Sequence, residues 1–290
     1  MTNRKAIRYA IYAALLYAIS TPFSKVLLKK IPPVFMAGLL YLGAAIGMCL
    51  LKCFSKGKKE EGKPFTHKDF PYLIGMVVLD ILAPVFLMIA ISRSSAESVS
   101  LLNNFEIVAT SLIALLLFKE KISPRLGFAI FLITVASLLL SLNDTSSLSF
   151  STYSLLAIQA CCCWGLENNC TRMLSKSAPS KIVIIKGFGS GTGSVIVSLI
   201  CKEHLTLSPF IPLALLLGFI AYGLSVYTYV YAQRYIGAAR TSAFYALAPF
   251  IGAFLSIAIF PKIPSALFVI SFMIMAAGAY LAAEKERTQT

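Results

Sequence analysis

Charge is scarce in this chain. Of its 290 residues 13% are charged and 58% hydrophobic, with a mean hydropathy of +0.81. A soluble domain carries about 25% charged residues, so the balance points to a multispanning membrane protein. Histidine is scarcer still. His67 and His204 are the only two, and both fall in expected loops on opposite sides. No metal triad, nucleophile elbow or His-Asp pair therefore sits in an apolar segment, which argues against an intramembrane enzyme. A Walker-type GxxxxGK[ST] sequence is also missing, so direct use of ATP is not expected. Long polar stretches are absent too, and no separate soluble domain is predicted.

Acidic residues number 12 against 26 Lys and Arg, giving a net charge of +14. Topology accounts for this excess better than nucleic-acid binding does. With the N-terminus in the cytoplasm, 20 of the 26 basic residues fall at inner ends of the apolar segments. The outer ends hold Lys25, Lys29, Lys30, Arg93, Lys202 and Lys262. That asymmetry predicts both termini inside. The seven cysteines lie in or beside apolar segments and do not form a secreted disulfide framework. Cys163, Glu167 and Cys170 share a helix face, but packing is the expected role of the thiols, and no metal site or cofactor is predicted.

What is present is a series of long apolar runs. Hydropathy predicts ten spans, over about 7–28, 32–53, 70–92, 96–118, 124–142, 152–175, 180–201, 209–233, 238–260 and 264–283. No cleavable leader is expected, because the first run continues past its basic flank. The fourth span, SVSLLNNFEIVATSLIALLLF (98–118), has Asn103, Asn104 and Glu106 at its centre. On one helix, Ser100, Asn103, Glu106 and Thr110 form one stripe. A carboxylate at that depth is costly and marks a functional site by default. Asp80 stands one turn before Pro84 in the third span, and Trp164, Glu167 and Asn168 cluster in the sixth. The second and seventh spans carry Gly38, Gly43, Gly47 and Gly187, Gly189, Gly191, Gly193, which predicts close helix packing.

The chain also repeats. A shift of 147 places Lys25 on Arg172, Leu27 on Leu174 and Pro32 on Pro179. A shift of 142 places Ala90 on Ala232, Ser100 on Ser242 and Phe118 on Phe260. The linker Asn143 to Phe150 separates two five-span units, 1–145 and 146–290. An odd span count inverts the second unit, so the expected fold is an all-α integral membrane protein. Its ten helices form two inverted-topology repeats around a central cavity.

The runs AISRSSAESVSLLNNFEIV (90–108) and AQRYIGAARTSAFYALAPF (232–250), with FKEKIS (118–123) and CWGLENNCTR (163–172), resemble the drug/metabolite transporter superfamily, specifically its ten-helix EamA type. The resemblance spans nearly the whole chain. It implies a helical bundle with a central cavity that moves small metabolites or drugs across the cytoplasmic membrane, often outward. The chain departs from the family pattern in three places. Glu106 is followed by Ile107, with Ala248 before Pro249; Tyr17 replaces a usual Trp; and Glu167 is an added carboxylate.

The expected function is a secondary transporter, an exporter of amino acid-like compounds or drugs working by alternating access. Glu106 is the candidate for proton coupling. Cavity candidates are Tyr17, Ser20, Asp80, Asn103, Glu106, Trp164, Asn168, Tyr222, Ser225, Tyr229 and Tyr245. Glu167 and Lys186 are expected to form an ion pair or inner gate. An uncoupled facilitator or importer, or an interaction protein without transport, are the alternatives. The expected partners are a small-molecule substrate and the lipid bilayer, with no nucleic acid. The expected setting is a bacterial inner membrane, as a monomer or weak homodimer.

Overall fold

Apolar helices, several of them interrupted near their middles, build this protein. The computed structural model describes residues 3–54, 62–118, 123–144, 149–174, 177–203, 208–232, 244–261 and 263–283. In order these are α1 (Asn3–Ala18), α2 (Ser20–Leu27), α3 (Pro33–Phe54), α4 (Phe70–Arg93), α5 (Ala96–Leu102), α6 (Phe105–Phe118) and α7 (Pro124–Ser141). After them come β1 (Leu142–Asp144), β2 (Ser149–Phe150), α8 (Thr152–Leu174), α9 (Pro179–Ile200), α10 (Ile211–Gly218), α11 (225–232), α12 (Ala248–Ile259) and α13 (Ala266–Ala283). A π-helical turn, Phe219–Leu224, joins α10 to α11. The two strands pair antiparallel across the expected linker.

Five stretches are long and apolar enough to cross a membrane: Lys5–Leu27, Pro33–Phe54, His67–Arg93, Pro179–Ile200 and Ile211–Ala232. Pro124–Leu140, Ala248–Ile259 and Ala266–Leu281 are shorter apolar helices. The chain is thus a helical membrane protein. Part of the ninth expected span, with Arg234, Arg240 and Ser242, lies outside the described residues, as do Lys119 and Lys121 of the FKEKIS run.

The spans drawn from hydropathy are interrupted in several places, the first where Pro22 predicts broken backbone. That break falls at Ile19, since Pro22 has no N–H to return to Ala18. The fourth is broken at Asn103–Asn104. There the Asn104 backbone N–H donates to Leu101 O at 3.0 Å rather than one residue further back, and its side-chain Nδ2 donates to the same oxygen at 3.3 Å. Asparagine competes with the helix in this way by bonding nearby backbone. A third break at Ala246–Leu247 precedes α12, whose first turn holds Pro249. The continuous stripe expected from Ser100 to Thr110 is therefore split. Ser100 donates to Pro249 O on α12, whereas Glu106 and Thr110 face α8.

The glycines work as their spacing predicts. A Cβ on Gly187 would lie 2.7 Å from Tyr41 O, and one on Gly191 would lie 2.7 Å from Leu42 N, so α9 runs hard against α3. α4 lies along α8, and α7 along α13. Leu40, Met88, Leu101, Ile133 and their neighbours fill the main apolar core between these pairs. Met76, Leu174 and Ile182 form a second cluster nearer the start of α4.

One helix end is capped from far away in the chain. Glu203 accepts hydrogen bonds from the backbone N–H groups of Val34 (3.1 Å) and Phe35 (2.8 Å), and from the Ser198 hydroxyl (2.8 Å). A carboxylate there satisfies free donors at the start of α3 and complements its dipole. Glu203→Ala is expected to cost about 1–2 kcal/mol, measured by unfolding in mixed micelles.

Candidate functional site

Four helices bring the interior polar groups together, and glycines allow the close approach. Asp80 comes from the middle of α4, Glu167 from α8, Lys186 from α9 and Tyr41 from α3. The Lys186 ammonium lies 3.0 Å from Asp80 Oδ2 and 3.1 Å from Glu167 Oε1. Among the described residues Asp80 Oδ2 has no partner but this ammonium. The Tyr41 hydroxyl donates to Asp80 Oδ1 at 2.9 Å, and the Thr171 hydroxyl donates to Glu167 Oε1. Asp80, Glu167 and Lys186 are all buried. Buried charges persist only when paired in this manner.

Beside this triad runs a chain of tyrosines. Tyr41 and Tyr222 have ring centroids 5.2 Å apart, Tyr222 and Tyr17 5.8 Å, Tyr17 and Tyr245 5.5 Å, and Tyr245 and Tyr229 4.9 Å. Ser20 donates to the Tyr222 hydroxyl at 3.2 Å. Trp164 is buried in the same apolar core as Tyr41 and Tyr222. The π-helical turn shapes this region, because its wider winding offsets Tyr222 from the ordinary helical register.

Glu106 stands on the first turn of α6, beyond the break. Asn168 Nδ2 donates to its Oε1 at 2.6 Å and reaches Thr110 Oγ1 at 3.5 Å. Among the described residues no cation pairs with Glu106. Asn103 is buried at the break, and its Oδ1 accepts no hydrogen bond. Ser225, expected on a cavity face, donates to Ala13 O at 2.9 Å, which ties α11 to α1, and lies against Tyr245.

The structure thus brings Asp80, Glu167 and Lys186 together, runs Tyr222, Tyr17, Tyr245 and Tyr229 away from them ring by ring with Ser20 on Tyr222, and sets Glu106 of α6 against Asn168 of α8. Tyr41 and Thr171 are functional candidates that the sequence reading missed. Tyr41 had one signal, its place between the packing glycines Gly38 and Gly43. Lys186 meets Glu167, the partner expected for it, and Asp80 joins the pair from α4. Lys25, at the opposite end of α4, donates to Ile91 O (2.6 Å), Ser92 O (3.2 Å) and Ser94 O (2.7 Å), closing that helix terminus. A cavity of about 670 Å³ opens there, lined by Lys25, Arg93, Ser95, Glu97, Thr152 and Phe260 among others. None of the predicted site residues lines it.

An acidic, tyrosine-rich interior suits a polar or amine-bearing solute, because a carboxylate supplies charge and an aromatic face attracts cations. Comparison with known proteins agrees with the membrane setting. An uncharacterized transporter from Methanothermobacter thermautotrophicus is 23% identical, over 93% of this chain and 84% of that protein. A solved crystal structure is similar in fold, with a TM-score of 0.70 and 16% identity over 99% of both chains. The sequence model of the EamA-like transporter family matches residues 4–142 and again residues 151–283, and the chain belongs to that family.

Proposed function

We propose that this protein is a secondary transporter that moves small amine-bearing metabolites, amino acid-like compounds among them, across the cytoplasmic membrane. It works by alternating access, as an exporter, in exchange for protons. The observation that carries this reading is the set of interior carboxyl groups facing tyrosines in the middle of the bundle. A scaffold has little use for such groups, and membrane proteins place them on solute pathways.

Two inverted five-helix units, 1–145 and 146–290, are supported by the packing. The shift of 147 relates α3 to α9, and the shift of 142 relates α5 to the stretch before α12 and α7 to α13. α3 lies along α9 and α7 along α13, an arrangement compatible with a two-fold axis in the membrane plane. The helix breaks at Asn103–Asn104 and Ala246–Leu247 fall one residue from equivalence under the same shift. The basic-residue asymmetry supports both termini on the cytoplasmic side of a bacterial inner membrane.

Glu106 is the coupling group in this reading. It has a neutral hydrogen-bond partner and no paired cation among the described residues, so it is free to change its charge as the cavity changes sides. The test is uptake of pooled amino acids and amines into proteoliposomes with an acidic lumen. Each proton exchanged electroneutrally supports about tenfold accumulation per unit of pH gradient. Glu106→Gln is expected to lower the accumulation ratio by about that factor per unit while exchange of labelled solute continues. An unchanged ratio would remove Glu106 from the coupling.

A further inference from the structure

The interior charge of the triad does not balance. Asp80 is 0% exposed, Glu167 1% and Lys186 9%. One ammonium touches two carboxyl groups, at 3.0 and 3.1 Å. With all three ionised the cluster carries a full negative charge, which burial strongly disfavours.

Among the described residues the surroundings supply no second cation. Tyr41 faces the pair from α3 and Tyr222 from the π-helical turn. Cys163 and Cys170 lie near it on α8, and Glu106 on α6 adds another acid. Lys25, the basic residue of α2, is tied to the far end of α4. Hydrogen bonding marks where the imbalance falls. Asp80 Oδ1 accepts from Tyr41 and Glu167 Oε1 from Thr171, whereas the buried Asp80 Oδ2 has, among the described residues, the Lys186 ammonium alone beside it, at 3.0 Å.

We infer that Asp80 and Glu167 hold one proton between them, with Lys186 as their fixed counter-ion, so that the triad is a proton site separate from Glu106. The bound proton makes the closed triad neutral. Water entering the opened cavity solvates both carboxyl groups, the carboxyl O–H bond breaks, and the proton leaves to that water. Two carboxylates then face the Lys186 ammonium. This role in a cycle rests on the transport reading, but the resident proton does not. Glu167 and Asn168 are consecutive on α8, and Asn168 donates to Glu106, so a shift of α8 acts on both acid sites at once.

Infrared difference spectroscopy of the full chain in lipid nanodiscs tests the site without any transport assay. At neutral pH the protein is expected to show a protonated-carboxyl C=O band that survives Glu106→Gln. Asp80→Asn and Glu167→Gln should each abolish that same band, because each leaves one carboxylate for one ammonium. Lys186→Met should raise its intensity about twofold, since both acids then need a proton. Amide bands and thermal unfolding of the same samples verify the fold. Both single variants relieve the charge excess, so both are expected to fold. Asp80→Asn and Glu167→Gln are each read in a Glu106→Gln background, so that Glu106 adds no signal. A Glu106→Gln protein without the band, or a band that persists in either neutralised variant of it, overturns the inference. A protein that shows the band yet moves no solute keeps the proton site and removes the transport reading.

Discussion

Lys186→Met is expected to cost about 3–5 kcal/mol of stability, the loss typical when one partner of a buried ion pair is deleted. The ammonium lies within 3.1 Å of two carboxyl groups that have no other cation among the described residues. Methionine fills the same volume on α9, so the effect reports lost charge rather than a cavity. The control is a neutral replacement of the whole cluster. Asp80→Asn, Glu167→Gln and Lys186→Met together should regain most of the loss, because a neutral amide network needs neither the counter-ion nor the protons that the two acids must otherwise take up. Unfolding in mixed micelles gives both values. A single variant within about 1 kcal/mol of the parent would mean that water reaches the triad and screens it.

The interior acids were legible one at a time. Asp80, Glu106 and Glu167 stand out from apolar runs because a carboxylate has no cheap place there. The pairing of Glu167 with Lys186 was legible too, from their similar depth, but the place of Asp80 beside them was not. Asp80, Glu167 and Lys186 are far apart in the chain, and only the crossings of α4, α8 and α9 bring them to one point. Periodicity also failed at the helix breaks. A stripe drawn through Ser100, Asn103, Glu106 and Thr110 assumes an unbroken helix, but the Asn104 side chain and backbone both bond Leu101 O and turn the chain. Pro22 gave a readable warning of the break at Ile19. The π-helical turn around Tyr222 gave none, since nothing in FIAYGL distinguishes it from an ordinary apolar helix. Glycine was the most faithful signal. Its regular spacing in the second and seventh spans marks surfaces where backbones touch, and close contact is a geometric consequence of lacking a Cβ.

That same contact sets the second large effect. Gly43 on α3 and Gly218 at the end of α10 are reciprocal. A Cβ on Gly43 would lie 2.0 Å from Leu215 O, and one on Gly218 would lie 2.0 Å from Leu40 O. Both obstacles are backbone, so neither yields by a rotamer change, and the helices must part. Gly43→Ala and Gly218→Ala are each expected to cost about 1–3 kcal/mol, the range for overpacking a tight interior. The double variant should cost less than the sum, because the first methyl has already opened the crossing used by the second. Gly75→Ala is the contrast. Its Cβ would meet only the Cys170 side-chain sulfur at 3.2 Å, which has room to turn. The consequence also reaches the site. Leu40 precedes Tyr41, and Gly218 lies one turn before Tyr222, so parting α3 from α10 pulls apart two rings now 5.2 Å from centre to centre. It also draws the Tyr41 hydroxyl away from Asp80. Unfolding of all four variants in micelles, with substrate exchange measured on those that fold, separates the two effects. Loss of exchange in a variant that keeps its stability would place the Tyr41–Tyr222 contact in the solute pathway, whereas proportionate loss of both would confine the crossing to support of the fold.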